Sequence, residues 1–245
     1  MKVAILGATK GMGREVARKL AARGDQLALL GRDASALEAM VVDLKIRGAG
    51  QAISVACDLA DESTFAAALD GAESALGHLD AVVITAGLFG TQENLEANLD
   101  FALQVLDVNL TKTVIFCEHA RKRLTRPTNP GTLVVFSSVA GDRGRKTVGL
   151  YGASKAGLSH YLEALDHKYR AAGLVTICVK PGFVRTGMTD GLKEPPFAGE
   201  PDQVAADVVC AMDRGTPLIY SPRIWQAVML VIRNLPRFVM RKVGF

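Results

Sequence analysis

Short apolar runs punctuate this chain, and between them hydrophobic positions recur at helical spacing. Residues 2–6, 27–30, 54–59, 81–85, 133–136 and 174–179 read as buried strands, because each is rich in aliphatic side chains and bounded by turn formers. Helical period fills residues 14–23, 61–69, 95–123 and 153–170. Strand and helix in alternation predict an α/β fold, a doubly wound parallel sheet of about seven strands in one domain. Arg126-Pro127-Thr128-Asn129-Pro130-Gly131 reads as a turn before the fifth strand.

At 245 residues, with 49% hydrophobic and 22% charged side chains, the chain fits one domain with a sizeable core. No apolar run approaches the roughly 20 residues of a spanning helix. The first strand starts almost at Met1, so no signal peptide is expected and the sequence reads as cytoplasmic. Cys57, Cys117, Cys178 and Cys210 are too dispersed for a CxxC site or a disulfide framework, and the histidines form no HExxH spacing, so no metal is expected. Net charge is +4, but Arg223, Arg233, Arg237, Arg241 and Lys242 all fall in residues 222–245, which hold no acid. A basic extension on a near-neutral body of residues 1–221 argues against nucleic acid and for one localised anionic contact.

After the first strand comes Gly7-Ala8-Thr9-Lys10-Gly11-Met12-Gly13, then a helix. In this setting Gly7 permits a tight turn, Gly11 lets backbone approach a pyrophosphate, and Gly13 lets helix pack on strand, with phosphates at the helix N-terminus. The whole motif, Thr9 and Met12 included, is therefore expected to bind a dinucleotide. Gly31 stands where an acid would receive a ribose 2′-hydroxyl. Arg32 follows it, and with Lys10 gives two cations for a 2′-phosphate, so NADP(H) is expected in preference to NAD(H). Asp33 is expected to cap the next helix.

Ser138 follows the fifth strand, and Tyr151 and Lys155 share one face of the helix beyond. The serine then sits at the C-terminal edge of the sheet, where open α/β sheets take their ligands. An ammonium beside the phenol is expected to lower its pKa, and a shift of about three units corresponds to about 4 kcal/mol. Asn109 is locally unfavourable inside a helix, which marks it as a candidate functional residue.

The glycine motif, Asn109, Ser138 and the Tyr151-x3-Lys155 pair together resemble the short-chain dehydrogenase/reductase family over residues 2–189. The resemblance implies a Rossmann-fold, NAD(P)-dependent oxidoreductase interconverting a ketone and a secondary alcohol, with Ser138, Tyr151 and Lys155 catalytic and Asn109 interrupting its helix and holding a water in a proton relay. It further implies Asp58 and Leu59 at the adenine, Ala86 and Gly87 beside the cofactor, Tyr151 and Lys155 at its ribose, and Pro181, Gly182, Val184 and Thr186 near the nicotinamide. Two departures stand out: Leu6 replaces the family's usual Thr, and Thr85-Ala86-Gly87 keeps only half of Asn-Asn-Ala-Gly. Relatives assemble as homodimers or homotetramers. Within the family, the runs Gly141-Asp142-Arg143-Gly144-Arg145-Lys146, Val184-Arg185-Thr186-Gly187-Met188, Leu192-Lys193-Glu194-Pro195-Pro196 and Ser221-Pro222-Arg223-Ile224-Trp225 make residues 137–245 resemble the reductases of decaprenylphosphoryl-ribose 2-epimerases, which implies a lipid-linked keto-sugar substrate. A soluble 3-oxoacyl or carbonyl reductase, and a non-catalytic cofactor-sensing or scaffold protein, are the alternatives.

Residues 187–199, with glycines at both ends and Pro195-Pro196 inside, suit a substrate-covering segment. In the extension, Ile224, Val228, Val231, Leu235, Phe238 and Val239 fall on one side of a helical wheel, opposite Gln226, Arg233, Arg237 and Arg241, with Pro236 kinking the helix or starting a second short segment. Peripheral contact with an anionic membrane at its inner face is expected; packing on the protein's own core or on a second subunit explains the stripe equally well.

Overall fold

The computed structural model describes residues 1–126 and 129–242, so Pro127 and Thr128 of the expected turn lie outside the described residues. The strands are β1 (Lys2–Leu6), β2 (Gln26–Gly31), β3 (Gln51–Ala56), β4 (Ala81–Ile84), β5 (Thr125–Arg126), β6 (Asn129–Pro130), β7 (Thr132–Phe136), β8 (Val175–Pro181) and β9 (Leu218–Ser221). Seven of them form a parallel sheet in the order β3-β2-β1-β4-β7-β8-β9, and β5 and β6 make a short antiparallel ladder. The order reverses between β1 and β4, which opens a crevice at the C-terminal ends of those strands.

The helices are α1 (Gly11–Ala22), α2 (Ala34–Ile46), α3 (Phe65–Leu76), α4 (Gln92–Ala97), α5 (Leu99–Leu106), α6 (Thr113–Leu124), α7 (Gly149–Tyr169), α8 (Pro201–Arg214), α9 (Ile224–Asn234) and α10 (Arg237–Met240). Alternation along β1 shows how they cover the sheet. Val3 and Ile5 pack with Val16 and Leu20 of α1, Leu37 of α2 and Val208 of α8. Ala4 and Leu6 pack with Phe65 of α3, Phe116 of α6 and Leu158 of α7. Both faces of the sheet are therefore buried at its central strands, which is why β1, β2, β4 and β7 read as apolar runs without alternation, whereas the edge strand β3 alternates.

Three helical expectations are corrected. Residues 95–123 are not one helix: Asn98 accepts from Phe101 N and starts α5, and residues 107–112 form a π-helical turn before α6. The apolar period runs on through the first break because Leu95, Ala102 and Val105 bury in one cluster. The helix expected at residues 61–69 begins at Phe65 instead, because Asp61 caps a short 3-10 turn at Glu62–Thr64.

The third correction concerns the C-terminal stripe. Trp225, Met229 and Ile232 form the buried face of α9, packing with Val139 and Tyr220, whereas Ile224, Val231 and Phe238 are exposed. Pro236 starts a second short helix, the second of the two outcomes expected there, so one continuous wheel mixes two helices. Cations of the loop before α7 fasten this segment: Arg143 Nη2 donates to Leu235 O at 2.9 Å and Lys146 Nζ to Arg241 O at 2.6 Å. Positive charge there meets the carbonyl ends of α9 and α10. Beneath them Asp142 accepts from Lys180 Nζ of β8 and from Tyr220 Oη of β9, tying the same loop to the sheet. Among the described residues, no helix is long and apolar enough to cross a membrane.

Candidate active site

The glycine turn is packed backbone against backbone. Gly7 has φ +97°, and a Cβ there would lie 2.7 Å from Ala86 N, while a Cβ on Gly13 would lie 2.2 Å from Gly7 O. Helix α1 thus starts hard against the strand, and Lys10, which precedes it, supplies no side-chain cap. Backbone N–H groups of that first turn have no intrahelical partner and carry the positive end of the helix dipole. Thr85 Oγ1 donates to Gly7 O at 2.9 Å and to Leu6 O at 3.2 Å. The brace lacking at Leu6 is therefore supplied from the neighbouring strand. Sequence reasoning missed this role, and its signal was a hydroxyl standing immediately after buried β4.

A cleft of about 460 Å³ opens beside the turn. Gly7, residues 9–13, Arg32, Asp58, Leu59, Ala86, Gly87 and Thr186 all line it, and Tyr151, Lys155, Pro181, Gly182 and Val184 lie outside its lining. Its size and its phosphate-accepting helix end fit a dinucleotide. Side chains larger than hydrogen at positions 7 and 13 would collide with backbone or with Thr85, which is the packing such a cradle requires. Asp33 caps α2 as expected, accepting from Ala36 N at 3.0 Å and Ser35 Oγ at 2.8 Å, and these bonds hold its carboxyl below the usual range.

The catalytic candidates adjoin the cleft through Gly87, where a Cβ would lie 3.0 Å from Asn109 Oδ1 and 3.6 Å from Lys155 Nζ. Ser138 caps a 3-10 turn at Val139–Gly141, accepting from Ala140 N at 3.1 Å. That turn is seated on α7 so closely that a Cβ on Gly141 would lie 2.6 Å from the Lys155 carbonyl carbon. Tyr151, in the first turn of α7, meets the Phe89 ring edge-on at 5.0 Å, a contact the sequence did not reveal. Lys155 Nζ lies 5.8 Å from the Tyr151 ring centre and donates to Phe136 O at 3.0 Å. Asn109 sits in the π-helical turn, as an interruption should, and pins Leu88 by both its backbone groups at 2.8 Å.

Electrostatics at the pair differ from expectation. Burial pushes the Tyr151 phenol up to about 12, with the Ser138 hydroxyl pulling the other way, and burial drives the Lys155 ammonium down to about 8. The expected lowering of Tyr151 is overturned because desolvation disfavours both charged forms. At neutral pH the phenol is thus a proton donor beside a cation.

A dinucleotide-cradling doubly wound sheet with Ser, Tyr and Lys gathered at its switch-point edge defines a nicotinamide-dependent oxidoreductase class. The short chain dehydrogenase model matches residues 1–196, and the chain belongs to the short-chain dehydrogenase/reductase family, whose members are NAD(P)-dependent oxidoreductases. It is 32% identical to an uncharacterized oxidoreductase of Mycobacterium tuberculosis (strain CDC 1551 / Oshkosh), covering 98% of this chain and 96% of that protein. It is 31% identical to the 3-oxoacyl-[acyl-carrier-protein] reductase of Bos taurus over 78% of each. The structure of a short-chain type dehydrogenase/reductase from Mycobacterium ulcerans matches with a TM-score of 0.80 at 22% identity, covering 89% of this chain and 86% of that one, which is a likeness of fold.

The buried ammonium makes stability depend on pH. Because the folded-state pKa of Lys155 lies below its ordinary 10.5, its favourable contribution is complete above 10.5 and is lost as pH falls through about 8. Below pH 8 the cost is on the order of 3 kcal/mol. Tyr151, raised instead, keeps its contribution in full below pH 10 and loses it between about 10 and 12, so it meets that window only at its upper edge. Lys155→Met is therefore expected to raise the urea midpoint at neutral pH, with the gain shrinking towards pH 10.5. A gain that stays constant across that range, in urea melts at successive pH values, would contradict the buried-charge account.

Proposed function

We propose that this protein reduces a ketone to a secondary alcohol with NADPH, acting on a lipid-linked, keto-sugar type of substrate at a membrane surface. The observation that carries the reaction is the protonated Tyr151 phenol beside Lys155, whose Nζ adjoins Gly87 of the dinucleotide cleft. The cofactor supplies the hydride. Tyr151 gives its proton to the carbonyl oxygen as the carbon is reduced, so ketone, hydride and proton balance as the alcohol. Ser138 holds the carbonyl, Lys155 binds the ribose hydroxyls and passes a proton back to Tyr151, and Asn109 orders the relay through its grip on Leu88. A phenol held near 12 favours reduction, since the reverse reaction needs the phenolate. Tyr151→Phe is expected to lower kcat about 100-fold or more with NADPH affinity unchanged. Retention of more than about a tenth of the turnover, followed by NADPH absorbance, would remove Tyr151 from the role of acid.

Arg32 and Lys10 line the cleft at the end of β2, position 31 carries no side chain, and Asp33 is engaged as a helix cap. This supports NADPH over NADH. Two charge-assisted contacts allow a preference of about a hundredfold, and Arg32→Ala is expected to erase most of it. Fluorescence titration of both cofactors checks this, and a preference left intact in Arg32→Ala defeats the assignment.

The membrane proposal rests on the outer side of the C-terminal helices. Ile224, Leu230, Val231 and Phe238 are 43%, 65%, 62% and 65% exposed, and the exposed cations Arg223, Arg233, Arg237 and Arg241 accompany them. A second copy docked here by two-fold symmetry would set like charges together, whereas an anionic lipid surface is complementary. Co-sedimentation with phosphatidylglycerol vesicles at low salt is expected, and Leu230→Ser with Phe238→Ser should abolish it without changing Tm. A chain that stays in the supernatant with those vesicles refutes membrane contact. The bovine relative's name favours a second reading, a soluble 3-oxoacyl reductase. Faster NADPH consumption with a water-soluble 3-oxoacyl thioester than with ketones of a lipid extract would select it.

A further inference from the structure

Several contacts of the C-terminal segment converge on one stretch of chain. Trp225 at the start of α9, only 7% exposed, donates its indole Nε1–H to Phe197 O at 3.1 Å. Its ring covers Gly182, where a Cβ would lie 2.1 Å from Nε1, so the glycine of that turn makes room for the indole. Pro222 packs on Gly199, whose Cβ would lie 2.7 Å from the proline ring. Gly199 N donates to Phe183 O at 2.8 Å and Gly199 O accepts from Arg185 N at 3.0 Å, which closes residues 184–199 into a loop at its base. Arg185 adds ion pairs to Glu194 and Glu200 across the same base.

Phe197 shows that the loop is held from outside. Its φ is +68°, the one positive value at a non-glycine residue among those described. A bulky side chain in that region is unfavourable and persists only where its surroundings hold it. The Phe197 ring is 57% exposed and supplies little packing, so the hold falls on the backbone, where Trp225 grips the carbonyl. The other end of the loop reaches the chemistry, because Thr186, Gly187 and Met188 line the dinucleotide cleft.

We propose that Trp225 is a positioning residue, which latches residues 187–198 over the site so that the C-terminal helix helps determine how a bulky ketone is received. This rests on the ketoreductase reading of Tyr151 and Lys155 and adds a specificity determinant outside the catalytic set.

Trp225→Phe tests it, since the ring stays over Gly182 while the donor is lost. Amide hydrogen exchange in residues 187–198 is expected to quicken about five- to tenfold, the effect of one net hydrogen bond, with α9 protection and Tm unchanged. The KM for a bulky ketone should rise about fivefold, with kcat and NADPH affinity held within about twofold. Adding Phe197→Asn, which tolerates positive φ, should restore part of the lost protection. Unchanged exchange in residues 187–198 overturns the latch. Loosening of α9 together with the loop, or failure of Phe197→Asn to restore protection, overturns it too by reducing Trp225 to a packing residue. Exchange needs no substrate, so these outcomes stay separate from failure of the ketoreductase reading, which would appear as absent turnover in the unaltered protein.

Discussion

Everything at the site depends on how Lys155 is carried into the interior. An ammonium there requires an acceptor fixed in advance, and Phe136 O at the end of β7 provides it at 3.0 Å. For that bond to form, α7 must lie against the strand end. Two features hold it there: Ser137 Oγ donates to Lys155 O at 2.9 Å, and the turn at Gly141 fits flush on the helix backbone. The same seating brings Ser138 alongside Tyr151 and Lys155 alongside Gly87, so helix placement and catalytic geometry have one cause. Its electrostatic consequence is a phenol that stays protonated at neutral pH.

The strands were legible because a parallel sheet covered on both faces leaves uninterrupted apolar runs, and β1, β2, β4 and β7 have that character. The glycine cradle was legible for a different reason: close backbone approach excludes every larger residue, and that requirement reaches the sequence directly. What periodicity could not register was a break that leaves the buried face continuous. Asn98 is such a break, its side chain restarting a helix while Leu95 and Val105 go on packing in one cluster. The phenol's pKa was misread for a related reason. Spacing places an ammonium near Tyr151, but the cost of burying charge appears only when both groups are seen to be enclosed.

Leu6 and Thr85 show a constraint surviving a change of residue. Leu6 O already accepts from Thr85 N and Ala86 N, so the tight turn leaves Gly7 O as the carbonyl served by a side chain, and a hydroxyl on either adjoining strand can meet that need. Here it comes from Thr85, and Leu6 is released to pack beneath the sheet with Phe65 and Phe116. Position by position these are two departures from the family's pattern. Physically they are one substitution of partners, which explains why the cradle keeps its form.

Helix α9 resisted a wheel reading because it is apolar on more than one side. Its buried face must include Trp225, since an indole N–H taken from water needs a partner and Phe197 O is within reach. Once that face is committed to the protein, Leu230 and Val231 are left outside, together with arginines that cannot follow them into a core. Packing on the body and contact with a lipid surface are therefore not rival accounts of one stripe, because they use different sides of the same helix. Under the proposed lipid contact, α9 would have one side on the membrane and the other on the loop of residues 187–198, and would present that loop to substrates arriving from the bilayer. The fastening of Leu235 and Arg241 by Arg143 and Lys146 ties the ends of α9 and α10 to the loop that leads into α7 and to Tyr151, so the C-terminal helices and the start of α7 are held together.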